Sequence, residues 1–475
     1  MSSFRTLPQR HSSRSPSAHP TAGPACWCAA LLLLGLLAGC AHAPLNAPLT
    51  HYEPDGGYRP RPQVQSRPLS VVLFLSGGGT RAAALSYGVM QELSRTPLPD
   101  GGRMLDRVEA ISAVSGGCFP AAYYCLYGDR LFQDFETSFL KRKVQSTVML
   151  SYFTPSDSWR LASAYFGRSD LSAEYIDRTL FHGATFGDLL RAPGKRPFLL
   201  INATDMDSFA QFPFTQDTFD LIGSDLSSYP IARAIAASSA VPVVLTPITL
   251  RNYAGRLPAP ESPQLLAPGT NPSPYSRRQQ AIADLARSYL DAVKRPYIHL
   301  LDGGLADNLG LSNLLAAVTQ AGGWEALLRE RNHGEVTQLA IVVVNAATKT
   351  EAEWTQEGRT PGLRSVVSAL SKNTISRTNG AMLELIRESL DDWQRSGVPG
   401  TARPQVHLIN VDFTQLADPV ERNYFNRVPT RFQLHPEMVD RLVDIGGRLL
   451  RESPDFRALR AALEQAPANT PAAAR

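Results

Sequence analysis

From Leu69 onward, short apolar runs alternate with stretches of helical periodicity. Ser70–Leu75, Val108–Val114, Phe198–Ala203, Ile298–Leu301, Ala340–Val344 and Val406–Val411 are nearly unbroken apolar segments, which predicts strands buried on both faces. Between the first two, Ala82, Leu85, Val89 and Leu93 recur at the spacing of one helix face. Strands and helices in alternation predict a three-layer α/β/α fold around a mostly parallel sheet. Residues 40–68 are rich in proline (Pro44, Pro48, Pro54, Pro60, Pro62, Pro68) and read as a tether. Residues 253–278 are dense in proline and polar residues and read as a surface insertion. The expected plan is a leader over 1–39, the tether over 40–68 and the core over 69–312. A continuation of the same α/β domain follows over 313–454, whose two late strands and Trp324-to-Arg331 helix complete it, with a disordered tail over 455–475.

Composition narrows the class without deciding it. The 475 residues are 43% apolar and 19% charged, an ordinary globular balance. The net charge of +4 owes three units to Arg5, Arg10 and Arg14 in an acid-free leader, so residues 40–475 carry only +1. With no dense Lys/Arg run either, nucleic-acid binding is excluded as an expectation.

The leader carries its own chemistry. A basic, Ser-rich stretch runs into the apolar segment Cys26–Leu37, too short to span a bilayer comfortably and suited to a signal-peptide core. It ends in Leu37-Ala38-Gly39-Cys40, which resembles a bacterial lipobox. That resemblance implies cleavage before Cys40 and its lipidation, hence a lipid-anchored protein of the bacterial cell envelope that meets the membrane surface through its N-terminus. Ala41 rather than Asp after Cys40 points to the outer membrane. The alternative is a plain secretory signal that happens to contain a cysteine. Cys26 and Cys28 leave with the leader, so Cys118 and Cys125 remain. On one helix they stand about 10 Å apart, too far for a disulfide. Neither spacing nor neighbouring histidines suggest a metal site, and no cofactor is expected.

Three glycine-bearing segments follow apolar strands. Ser76-Gly77-Gly78-Gly79-Thr80-Arg81 opens a helix, and its free amides suit a phosphate or a developing oxyanion. Gly77-x-Gly79-x-x-Ala82 is also a degenerate dinucleotide fingerprint. That reading needs an acidic residue closing the second strand, and here the strand runs into Ser115-Gly116-Gly117. Ala113-Val114-Ser115-Gly116-Gly117 reads as a nucleophile elbow, with Ala113 where the usual pattern has glycine. The helix that follows points its N-terminus at Ser115 and favours negative charge there. Leu301-Asp302-Gly303-Gly304 is the third, taken alone an ordinary turn. Strand C-termini share one edge of a parallel sheet, so all three segments are expected to converge.

In this order the segments resemble the signature of the patatin-like phospholipase family. Ala237-Ser238-Ser239-Ala240-Val241-Pro242 is similar to that family's Ala/Ser-rich stretch. The resemblance covers about Leu69 to Ser312. It implies a Ser115–Asp302 dyad, an oxyanion hole from the amides of Gly77, Gly78 and Gly79 with Arg81 nearby, and a lipid or phospholipid acyl ester as substrate. The expected activity is that of a phospholipase A or lipase-type esterase working through an acyl-enzyme. Two rivals stand beside it. An α/β-hydrolase with a Ser-Asp-His triad is possible in chain order, since His333, His407 and His435 follow Asp302. A lipid-binding envelope lipoprotein without turnover is the other. The aromatics from Phe119 to Phe166 are expected mainly in the core, a minority lining an acyl channel or touching membrane.

Overall fold

Period-two alternation along the strands decides which layer each side chain enters. In β1 (Leu69–Leu75), Val71, Leu73 and Leu75 enter one buried cluster, whereas Val72 and Phe74 pack in another. β7 (Gln338–Asn345) divides the same way: Ala340, Val342 and Val344 to the first cluster, Leu339, Ile341 and Val343 to the second. A sheet apolar on both faces requires a helical layer on each, and it has them.

The computed structural model describes residues 45–60, 68–257, 276–330, 336–348, 362–396 and 403–465. In chain order, the parts that position the site are β1, α1 (Thr80–Arg95), β2 (Val108–Val114), α2 (Cys118–Tyr127) and α3 (Val144–Ser151). After them come α4 (Arg168–Ile176), β3 (Phe198–Asp205), β4 (Gln211–Pro213), α5 (Ile231–Ser238), β5 (Ile248–Arg251) and β6 (Tyr297–Leu301). The rest are α6 (Ser312–Ala321), α7 (Trp324–Glu330), β7, α8 (Leu363–Arg395), β8 (Gln405–Asp412), α9 (Pro436–Glu452) and α10 (Pro454–Gln465). The first cluster is closed by α1, α2, α5, α9 and α10, the second by α6, α7 and α8. The result is the expected α/β/α sandwich. β3, β2, β1, β7 and β8 run parallel, so the two late strands extend the sheet from β1. Cys118 and Cys125 are free and buried, seven residues apart on α2.

Three expectations are corrected. β6 is antiparallel to β3, and β5 and β4 are antiparallel to their partners as well. The described part of the tether is docked rather than free. Asn46 is buried and bonded to Ser224 and Arg251, the Tyr58 hydroxyl bonds both backbone groups of Leu199, and Arg59 pairs with Asp217 and Asp220. A proline-rich composition discourages regular structure but does not prevent single polar and aromatic anchors from binding a groove. The tail expected to be disordered from 455 begins instead with α10, because Phe456, Leu459 and Leu463 form an apolar stripe buried against the first cluster. Within the expected insertion Tyr253 is buried and Ser276–Leu290 is a helix. The leader, Cys40, His333 and residues 258–275 lie outside the described residues. Most of the early aromatics, including Phe119, Tyr123, Phe135 and Phe139, are core residues; Phe153 and Tyr165 are exposed. No helix among the described residues is long and apolar enough to cross a membrane.

Candidate active site

β2 ends at Val114 and the chain turns at Ser115, which adopts φ 47°, a left-handed conformation uncommon for a residue with a Cβ. The turn is held by backbone packing. A Cβ on Gly116 would lie 2.1 Å from the carbonyl oxygen of Gly79, so only glycine lets the elbow touch the glycine loop. Ala113 keeps ordinary strand geometry, paired with Leu75 on one side and Ile201 on the other. The family's glycine is therefore not required there for backbone freedom, and alanine fits.

Asp302 reaches Ser115 by a route that parallel topology does not supply. In β3, Asn202 pairs with Val114 of β2 and Pro213 of β4, and Thr204 pairs with Gln211 of β4 and Leu301 of β6. A strand residue has one neighbour on each side, so β2 and β6 share the same side of β3 and meet head-on. Their last residues stand opposite positions two apart on β3, roughly 7 Å along the strand. Ser115 and Asp302 are the next residue of each, so the strand ends set them opposite one another, and the Ser115 hydroxyl is among the groups that act on the Asp302 carboxylate.

Burial is the largest influence on that carboxylate, raising it from 3.8 to about 6. The Gly304 amide, donating to Oδ1 at 2.8 Å, and the Ser115 hydroxyl pull the other way. Both residues are nearly inaccessible, Ser115 at 4% and Asp302 at 7%.

The segment after α5 joins the two loops. The Ser115 amide donates to Ser238 Oγ at 2.7 Å, and Ser238 Oγ donates to the Asn202 carbonyl at 2.5 Å. The Ser238 carbonyl accepts from the Gly303 amide and the Ala240 carbonyl from the Asp302 amide, each at 3.0 Å. Beneath them Asn202 Nδ2 donates to Ser112 Oγ and the Ala113 carbonyl, and Asn313 Nδ2 donates to Asn202 Oδ1. Thr204 Oγ1 donates to the Asp302 carbonyl. Ser238, Asn202, Thr204 and Asn313 are the positioning residues that sequence reasoning missed. The Ala237–Pro242 stretch marked the place of the first without a role; nothing in the sequence marked the others.

The glycine loop is only partly free. The Gly77 amide donates to the Asn308 carbonyl at 3.2 Å and the Thr80 amide to the Arg431 carbonyl at 2.8 Å. The amides of Gly78 and Gly79, between them, have no protein acceptor among the described residues. Arg81 is buried, its Nε donating to the Ala346 carbonyl and Nη1 to the Val428 carbonyl; burial lowers its pKa to about 10. It ties the loop to the end of β7 and to the chain before α9.

No described histidine is paired with Ser115 or Asp302. His407 is buried against Gln338 at the opposite edge of the sheet, and burial lowers its pKa. His435 is exposed ahead of α9. His299, three residues before Asp302 on β6, is exposed and bonds Thr249 across the β5–β6 hairpin.

Among solved structures, human GIVD cytosolic phospholipase A2 is similar at 12% identity and a TM-score of 0.42, over 83% of this chain and 63% of that one. Its complex with methyl gamma-linolenyl fluorophosphonate gives 14% identity and 0.42, over 84% and 60%. The chain thus spans less than two thirds of the length of these proteins. No curated protein matches. A family model described as patatin-like phospholipase matches residues 73–315, just over half of the sequence, and the matched segment holds the glycine loop, the elbow and Asp302. The chain belongs to the patatin-like phospholipase family.

Proposed function

We propose that the protein is a serine lipid acyl hydrolase in which Ser115 and Asp302 act as a dyad without histidine. Family membership supports hydrolysis of a lipid acyl ester. The observation that carries the finer reading is the head-on meeting of β2 and β6, which sets a strained, elbow-borne Ser115 opposite a buried carboxylate. An ordinary aspartate is a feeble base for a hydroxyl; raised to about 6, Asp302 is a better proton acceptor and still mostly ionised at neutral pH. Ser115 Oγ attacks the ester carbonyl as its proton passes to Asp302. Collapse of the tetrahedral intermediate expels the alcohol, which takes that proton from Asp302, and leaves an acyl-enzyme. Water then attacks the acyl carbonyl, giving its proton to Asp302, and the fatty acid leaves as Ser115 is reprotonated. The amides of Gly78 and Gly79 are the oxyanion donors in this reading, each worth on the order of 3 kcal/mol. Gly77 and Arg81 fix the loop instead, since their donors are engaged elsewhere.

A fluorophosphonate probe should label the protein and not its Ser115→Ala variant, whose ester turnover falls about a thousandfold or more. Labelling that persists at another serine overturns the assignment.

Lipidation of Cys40 and anchoring in the bacterial envelope, at the outer membrane, belong to the same proposal, on the Leu37-Ala38-Gly39-Cys40 motif. Cys40→Ser should move the protein out of the membrane fraction, since stable anchoring takes more than one acyl chain and a lipoprotein carries several. Membrane retention of an unlipidated chain rejects the anchor.

A further inference from the structure

The loops around Ser115 carry outward-facing side chains that neither the core nor the chemistry uses. On one flank, Arg431 accepts from the Thr80 amide of the glycine loop. The next two residues bind α3: the Phe432 amide donates to Gln145 Oε1 and the Ser146 amide to Gln433 Oε1, each at 3.1 Å. On the other flank, the Asp302 amide donates to the Ala240 carbonyl. Three residues on, the Val243 carbonyl accepts from Arg168 Nη2 at 3.0 Å, and the Ser169 amide donates to Thr246 Oγ1 at 3.2 Å. α3 with its following turn and the 240–246 loop therefore flank the catalytic edge from two sides.

What these flanks expose is apolar. Leu150 is 69% exposed, Phe153 82% and Val244 62%, and Val243 holds its side chain outward at φ 72°, a strained backbone for a β-branched residue. Neighbouring large apolar side chains in water mark an interaction surface. Carboxylates lie near them too, Glu136 and Asp440 paired with Lys141 and Glu437 beside His435, but three bases are left over. Arg142 and Lys143, directly before α3, and Arg431 are exposed and form no ion pair among the described residues, whereas the nearby acids Asp157 and Glu174 are both paired with Arg160.

The N-terminal chain arrives on the same side. Asn46 bonds both backbone groups of Arg251, which pairs with Tyr297 at the end of the β5–β6 hairpin that stands beyond the C-terminal end of β3. Cys40 is six residues upstream, a reach of at most about 21 Å.

We propose that this rim docks on an anionic lipid bilayer, with Leu150, Phe153, Val243 and Val244 entering the acyl boundary and Arg142, Lys143 and Arg431 meeting lipid phosphates. Docking brings the mouth of a nearly inaccessible dyad against the bilayer that holds its substrate. The proposal rests on the lipid-ester reading of Ser115 for its purpose, but its test does not.

The test uses the full chain carrying Cys40→Ser, so that no anchor contributes, with vesicles of phosphatidylglycerol and phosphatidylcholine or of phosphatidylcholine alone. The parent should sediment with the anionic vesicles, weakly with the neutral ones and less in high salt. Leu150→Glu/Phe153→Glu and Arg142→Glu/Lys143→Glu should each weaken binding to anionic vesicles at least about tenfold. Both should keep the parent's turnover of a water-soluble short-chain ester while losing turnover of vesicle lipid. Ser115→Ala should still bind. Equal sedimentation of parent and rim variants overturns the docking face, as does equal binding of the parent to neutral vesicles. A parent dimer that Leu150→Glu/Phe153→Glu splits, with vesicle binding intact, makes the face a contact between two copies and overturns it too. Absence of soluble-ester turnover in the parent rejects the catalytic reading alone.

Discussion

Ser115 and Asp302 meet from loops built in different ways. The Ser115 loop is local: β1, the glycine loop, β2 and the elbow lie within fifty residues, and its geometry comes from left-handed backbone and the contact of Gly116 with Gly79. The Asp302 loop comes from almost two hundred residues away, on a strand running against the parallel sheet. It is held by hydrogen bonds to Ser238, Ala240 and Thr204 as well as by its own turn, in which the Gly304 amide donates to Asp302 Oδ1. Backbone strain presents the nucleophile, and burial tunes the base. One loop should therefore fail through geometry and the other through electrostatics.

The sharpest contrast is Asp302→Asn, which keeps size and removes the proton acceptor. Turnover should fall about a thousandfold, close to the loss expected for Ser115→Ala. Stability should move the other way. The folded chain holds the Asp302 proton more tightly than the unfolded chain, up to about 6 against 3.8, so this group favours the fold below pH 3.8 and that contribution is lost as pH rises through about 6. The amide escapes the cost of a buried charge, so the variant should melt about 1–3 °C higher near pH 8 and gain nothing near pH 3. A melting point lowered at high pH would show that burial does not tune this carboxylate. In the parent, activity should climb with pH on a limb centred near 6; a limb near 4 breaks the electrostatic half of the comparison.

Gly116→Ala tests the geometric half. The added methyl meets the Gly79 carbonyl, so turnover should drop about a hundredfold and the melting temperature should fall with it. Near-parental turnover would mean that the two glycine loops can part without harm.

Ser238→Ala probes the joint between the loops. It strips a partner from the Ser115 amide and the Asn202 carbonyl, both buried, a cost of about 1–3 kcal/mol. We expect kcat to fall about tenfold with KM little changed, and Ser238→Thr, which keeps the hydroxyl, to recover most of it. A rise in KM alone would make Ser238 a substrate contact.

The smallest effects should come from the histidines. His299→Ala and His435→Ala should keep more than about a tenth of activity, as should His407→Ala once folding is checked by melting, because its buried bond to Gln338 is structural. A folded histidine variant as inactive as Ser115→Ala would replace the dyad with a triad.

Much of this was written in the chain. Runs such as Val71–Leu75 and Ala340–Val344 are apolar at every position, which only a sheet covered on both faces accommodates, so the layers follow from the sequence. The glycine loop and the elbow were legible because their constraints are local: steric limits on φ and on backbone approach act over a few residues and leave glycine where nothing else fits. Tertiary structure decided what depends on distant partners. The direction of β6 is settled by its pairing with Thr204 and Asp205, and the residues of a five-residue strand do not by themselves say which way it runs. The engagement of the Gly77 amide by Asn308, and of Arg81 by Ala346 and Val428, comes from residues 231 to 347 positions away. The ordering of Pro454–Gln465 likewise needs the cluster its apolar stripe packs on. The raised pKa of Asp302 is the clearest case: desolvation belongs to the surroundings of a carboxylate, and the surroundings exist only once the chain has folded.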